Sequence, residues 1–142
     1  MGTLTQSAEN YLEAILVISL EKKTVRIKDL AKRLKVKMPS VVAAVRQLAE
    51  KGLVRHEPYG YIELTDQGMA RAKAVYERHR IIFDFLHNLL GVEAAIAEED
   101  ACEMEHFLHP QTMERILKFI EFVRSCPEGE PLWLSNFHYS VD

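Results

Sequence analysis

Within nine residues, Glu98-Glu99-Asp100-Ala101-Cys102-Glu103-Met104-Glu105-His106, the chain carries a thiol, an imidazole and five carboxylates. The stretch lacks Pro and Gly, and Ala, Glu and Met favour helix. Residues three and four apart share a helix face, so Cys102, Glu105 and His106 are expected to point together. Glu98, four residues before Cys102, falls at the edge of that stripe. Sulfur, oxygen and nitrogen donors side by side suit a divalent transition metal. The competing reading is a solvated acidic face with one partly buried cysteine, which composition alone favours.

The elements that would position this stretch follow from hydrophobic period and turn residues. Gln6 to Leu20 reads as a first helix, broadly apolar through Tyr11, Leu12, Ile15, Leu16 and Ile18, with Ser7 as its expected cap. Asn10 and Glu13 are neighbours on one flank of it. Val25-Arg26-Ile27 reads as an extended lead-in to a short helix over Lys28 to Leu34. Pro39 suits the opening of a third helix, Val41 to Lys51, stopped by Gly52. Two short helices joined by a tight turn form a helix-turn-helix. Leu53 to His56 and Tyr61 to Leu64 alternate like strands around Glu57-Pro58-Tyr59-Gly60, which gives a wing. Beyond it a long helix runs from Thr65 to about Leu90, followed by helices over Glu93 to His109 and Gln111 to Ser125. Trp133, Phe137 and Tyr139 of the tail are expected to pack back on the body. The fold class is therefore mostly α: a winged helix-turn-helix of three helices and a two-stranded wing over residues 1–66, then an all-helical domain over 67–142.

Charge divides the same way. Residues 1–60 hold eleven Lys/Arg against six Asp/Glu, whereas 61–142 hold seven against fifteen. Between Lys22 and Arg55 only Asp29 and Glu50 oppose eleven cations, a local balance of +9. Such density on a winged helix fits phosphate neutralisation on DNA. The residues placed to approach a duplex are Lys37, Met38, Pro39, Ser40 and Ala43, with Arg46 and Gln47 a turn later. Lys28, Arg55 and Tyr59 are candidates for backbone contacts. Base-edge donors are few, so specificity is expected to lean on DNA shape and apolar contacts too. Two cysteines are too few for a disulfide scaffold. No stretch reaches eighteen apolar residues and no signal pattern opens the chain, so a cytoplasmic location is expected.

Taken together, Glu9-Asn10-Tyr11-Leu12-Glu13-Ala14-Ile15, Pro39-Ser40-Val41, Leu64-Thr65-Asp66-Gln67-Gly68, Arg78-His79-Arg80 and Cys102-Glu103-Met104-Glu105-His106 resemble one known group. It is the diphtheria-toxin-repressor and manganese-transport-regulator family of metal-dependent transcription repressors, and the likeness covers about residues 5 to 125. The chain is similar in architecture to the short branch, without the SH3-like domain of longer members. The resemblance implies a homodimer that binds palindromic operator DNA once a divalent ion is held. The ligands it implies are Asn10, Glu13, His79, Cys102, Glu105 and His106, and it implies no enzymatic activity.

Several positions depart from the family pattern. Asn10 stands where iron sensors have Met and manganese sensors Asp. Cys102 sides with the iron type and Glu13 with the manganese type. Phe83 replaces a usual Glu, and Glu98 replaces the His of iron-type members, which leaves a second ion position either lost or rebuilt from Glu13, His79 and Glu98. The soft Cys102 sulfur ranks Fe(II) first and Mn(II) second, with Zn(II) or Co(II) possible in vitro. Rival readings are a winged-helix regulator that senses a small organic ligand, a hydrolytic metalloenzyme, and a winged helix used for protein contacts. Against the enzyme, the chain has no His-Glu-x-x-His helix to set a general base beside an open metal.

Overall fold

The computed structural model of the chain describes residues 3–57 and 60–141. The elements run α1 (Gln6–Glu21), α2 (Ile27–Leu34), α3 (Met38–Glu50), β1 (Val54–His56), β2 (Ile62–Leu64), α4 (Asp66–Asp84), α5 (Ala94–Met104), α6 (Pro110–Arg124) and α7 (Leu132–Val141). They gather into two compact units, Met1–Tyr76 and Glu77–Asp142, which divide part-way along α4.

The first unit is the winged helix. α1 is capped by Thr5, whose Oγ1 accepts from the Ala8 amide at 3.1 Å. Ser7, the expected cap, lies two residues inside, because Thr5 already has the extended backbone that reaches back to an orphan amide. α2 begins at Ile27, one residue earlier than its apolar pattern implied, since Asp29 in its first turn accepts the Arg26 amide at 2.9 Å. It closes at Lys35, held in the left-handed region at φ 56°. α3 opens at Met38 with Pro39 in its first turn, before the Val41 expected from periodicity. Leu12, Ile15, Leu30, Val41, Val45 and Leu48 share one core.

β1 and β2 pair antiparallel, with Arg55 opposite Glu63. Val25 adds an isolated bridge to Ile62, whose amide donates to Val25 O at 2.8 Å, so the extended lead-in becomes a further rung of the wing. Where α4 leaves the wing, the Thr65 hydroxyl donates to Gly52 O at 2.6 Å and accepts from the Gly68 amide at 3.0 Å. A Cβ on Gly68 would sit 1.8 Å from Leu53 O, so only glycine allows this crossing.

In the second unit α4 runs into a π-helical turn, Phe85–Leu89, and stops at Gly91 with φ 75°. Ile82, Leu86, Ala97, Ala101 and Met113 form one core, and Leu89, Ile120, Val123 and Leu134 another. Arg124 donates to Asp84 at 2.5 Å, which also accepts from Asn88 at 2.6 Å. The tail packs back through Leu134 and through Trp133, whose ring lies 6.2 Å from that of Phe119 on α6. Trp133 keeps 51% of its surface exposed, and Tyr139, at 87%, does not pack back, because the helical period of α7 turns Leu134 inward and carries Tyr139 away from the inner stripe.

Candidate metal centre and nucleic-acid interface

Among the described residues, the buried polar ones are His79, on α4, and Glu105, at the end of α5. They meet within the second unit. Glu105 Oε2 lies 3.1 Å from His79 Nδ1, and Oε1 lies 3.2 Å from His106 Nε2. On its other side His79 Nε2 stands 2.9 Å from Glu98 Oε1. His79 and Cys102 offer donor atoms within 4.8 Å of one another. Five of the seven predicted donors, His79, Glu98, Cys102, Glu105 and His106, are thus gathered in this unit.

The route to that convergence differs from a single helical face. α5 ends at Met104, Glu105 is its C-cap, and tight turn bonds follow, from His106 N to Glu103 O at 3.4 Å and from Phe107 N to Met104 O at 3.1 Å. Adjacent residues on a regular helix do not face each other. The tightened turn is what lets the Glu105 carboxylate and the His106 ring touch. Arg78, which sequence reasoning passed over as a site residue, donates from Nε to the Glu105 carbonyl at 3.1 Å and pins this turn to α4. Its signal was its place in Arg78-His79-Arg80, one residue from a predicted donor.

The electrostatics of the cluster suit a cation. Both Glu105 oxygens and His79 Nδ1 are buried and find no hydrogen bond, although their neighbours are close. The approaches are electrostatic contacts that are not aligned as donor–acceptor pairs. A carboxylate withdrawn from water without aligned donors is costly unless a cation meets it. The His79 ring is pushed up to about 11 by the Cys102 sulfur first, then by the carboxylates of Glu105 and Glu98, with burial opposing. A proton on His79 therefore supplies the positive charge these donors demand. Imidazole, carboxylate and thiolate together fit a divalent transition ion.

Asn10 and Glu13 lie half-buried on α1, in the first unit. Phe83 packs with the Ile82 core, and Asp84 is engaged by Arg124. His87 lies 2.8 Å from Val92 O, and His138 lies 2.9 Å from Leu89 O and 3.2 Å from Glu130, positions that tie loop and tail to the body.

In the first unit α3 buries Val41, Val45 and Leu48 and turns Lys37, Met38, Pro39, Ser40, Ala43, Arg46 and Gln47 outward, all exposed. Lys28 and Arg55 are exposed as well, the latter 3.9 Å from Glu63. Tyr59 lies outside the described residues. An exposed helix face that opens at Lys37 and is followed by a two-stranded wing has the form of a recognition helix.

Two family models match adjoining parts of the chain. Residues 3–62 match the iron dependent repressor N-terminal DNA binding domain, and residues 65–134 match the iron dependent repressor metal binding and dimerisation domain. Transcriptional regulator MntR of Salmonella typhimurium is 34% identical over 113 residues, 80% of this chain and 71% of its own. The chain belongs to the iron-dependent repressor family. These are metal-dependent transcription regulators that bind DNA and dimerise. Within the family, an HTH-type transcriptional regulator of Methanocaldococcus jannaschii is 37% identical over 83% of this chain and 95% of its own. Iron-dependent repressor IdeR of Mycobacterium leprae is 29% identical over 93% of this chain. Among solved structures, a manganese-dependent transcriptional repressor in complex with manganese superposes with TM-score 0.75 at 34% identity over 88% of this chain. The chain spans 57% of the length of both IdeR and that repressor. Among the described residues no helix is long and apolar enough to cross a membrane.

Proposed function

We propose that this member is a cytoplasmic repressor that binds palindromic operator DNA as a homodimer when a divalent transition metal is held, and that it has no catalytic activity. The observation that carries the reading is Glu105: a 1% exposed carboxylate faced by two imidazoles, with its oxygens left without hydrogen bonds. His79, Cys102, Glu105 and His106 would hold the ion, with Glu98 on the outer nitrogen of His79. Asn10 and Glu13 of α1 are included as the donors expected from the winged-helix part. When bound, the ion supplies the positive charge that a proton on His79 supplies without it. Residues 1–66 carry the DNA-binding role, through Lys28, Lys37, Met38, Pro39, Ser40, Ala43, Arg46, Gln47, Arg55 and Tyr59, and residues 67–142 the sensing and dimerising role.

The soft sulfur of Cys102 favours Fe(II), with Mn(II) second, and Zn(II) or Co(II) can occupy the same donors in vitro. The test is duplex binding by the full chain across buffered Fe(II), Mn(II), Zn(II) and Co(II). The duplex is one enriched by the chain from a random pool in the presence of metal. Chelation is expected to abolish the specific complex. Cys102→Ala is expected to weaken the response to Fe(II) more than the response to Mn(II). A complex indifferent to chelator would overturn the metal reading and leave a regulator of another kind.

A further inference from the structure

Arg26 is an exposed cation of the basic segment that lies outside the recognition helix and outside the sequence-based contact set. Its position is nonetheless fixed from three sides. Its amide donates to Asp29 at 2.9 Å, its guanidinium carbon lies 4.9 Å from the centre of the Tyr61 ring, and Nη2 donates to the Tyr61 hydroxyl at 3.2 Å. The antiparallel bridge between Val25 and Ile62 brings Arg26 and Tyr61 opposite each other one step further along, so the clamp joins the start of α2 to the residue that leads into β2. Asp29, the nearest acid in sequence, already takes Lys22 at 2.8 Å. Among the described residues no carboxylate pairs with the Arg26 side chain.

An arginine stacked on a tyrosine is partly desolvated and oriented in advance, so its remaining N–H donors meet a phosphate at little further ordering cost. Tyr61 uses one of five donors and leaves a fork suited to two oxygens of one phosphate. We infer that the Arg26–Tyr61 clamp is a phosphodiester-binding element that fastens the wing side of the module to the DNA backbone. Arg26 makes the contact, and Tyr61 positions it. The inference rests on the DNA-binding reading above.

The test uses the full chain with Mn(II) and two fluorescein-labelled 30-bp duplexes (one enriched from a random pool, one of random sequence), titrated across salt. Arg26→Ala is expected to weaken both duplexes alike. It should also flatten the plot of log affinity against log salt by about 0.9 for each Arg26 on a phosphate. Arg26→Lys should restore the slope but not the full affinity, since it keeps the charge and loses the fork. Tyr61→Ala should lower affinity with the slope kept, and Tyr61→Phe should lie between it and the parent chain. Lys118→Ala, in the other unit, should change nothing. Arg26→Ala with lower affinity but an unchanged slope, or with neither changed, overturns the inference while the repressor reading stands. A parent chain that binds neither duplex overturns both. Circular dichroism melts of each variant separate lost contact from lost fold, and Arg26→Lys with the slope still flattened counts against the contact.

Discussion

His79 carries a proton at neutral pH in the metal-free chain, because a sulfur and two carboxylates hold its ring up to about 11. A metal ligand must be the neutral imidazole, so under the proposed function ion and proton compete for the ring. Metal uptake at pH 7 is expected to release this proton, and affinity should climb with pH through the neutral range. Calorimetry in buffers of different ionisation heat reads the proton count, and a heat independent of buffer would refute the competition. The same raised value bears on stability. The His79 contribution is complete below its ordinary value near 6.5 and is shed as pH rises through about 11, so the metal-free chain should weaken toward alkaline pH. Glu105→Gln keeps the size of the side chain and removes its charge. It is expected to lower metal affinity at least about 10-fold, measured by competition with a chelator of known strength.

At the scale of elements, Gly68 fixes how α4 leaves the wing. Gly68→Ala would press a methyl into Leu53 O and is expected to destabilise the chain by about 3 kcal/mol, read from urea unfolding. An unchanged midpoint would show that the crossing can relax. The periodicity of α1, the Pro-led start of α3 and the alternation in β1 and β2 are local properties, which is why the winged helix could be read from residue types. Helix ends were less legible. Thr5 displaced Ser7 as a cap, and α5 stopped at Met104, because caps and tight turns depend on backbone angles that composition does not encode. The cluster in the second unit was visible as residue types at helical spacing. The Glu105–His106 contact was not, since it comes from the turn beyond the helix, and Arg78 was missed because its role is played through a backbone carbonyl.

For the whole molecule the proposed reading makes a thermodynamic demand. If holding a metal raises operator affinity by some factor, operator must raise metal affinity by the same factor. A coupling of about 1–3 kcal/mol, or about 5- to 150-fold, is typical. Metal affinity measured with and without the selected duplex should differ by the factor seen in DNA binding, and identical affinities would refute the coupling. The exposed ring of Trp133 stands on the part of the chain that matches the family's metal binding and dimerisation domain.

Glu105 has a last consequence, for the lifetime of the chain. A carboxylate walled off before its cation arrives is a standing weakness in the starved molecule, and proteases consume whatever fraction opens. At a free ion level about 100 times Kd, occupancy deepens the folded well by about 2.7 kcal/mol, which is about 100-fold fewer opened molecules. Trypsin should therefore digest the chain far more slowly with Mn(II) than with chelator, and equal rates would disprove this. On that account scarcity of the ion thins the regulator's own ranks as well as loosening its hold on the genome.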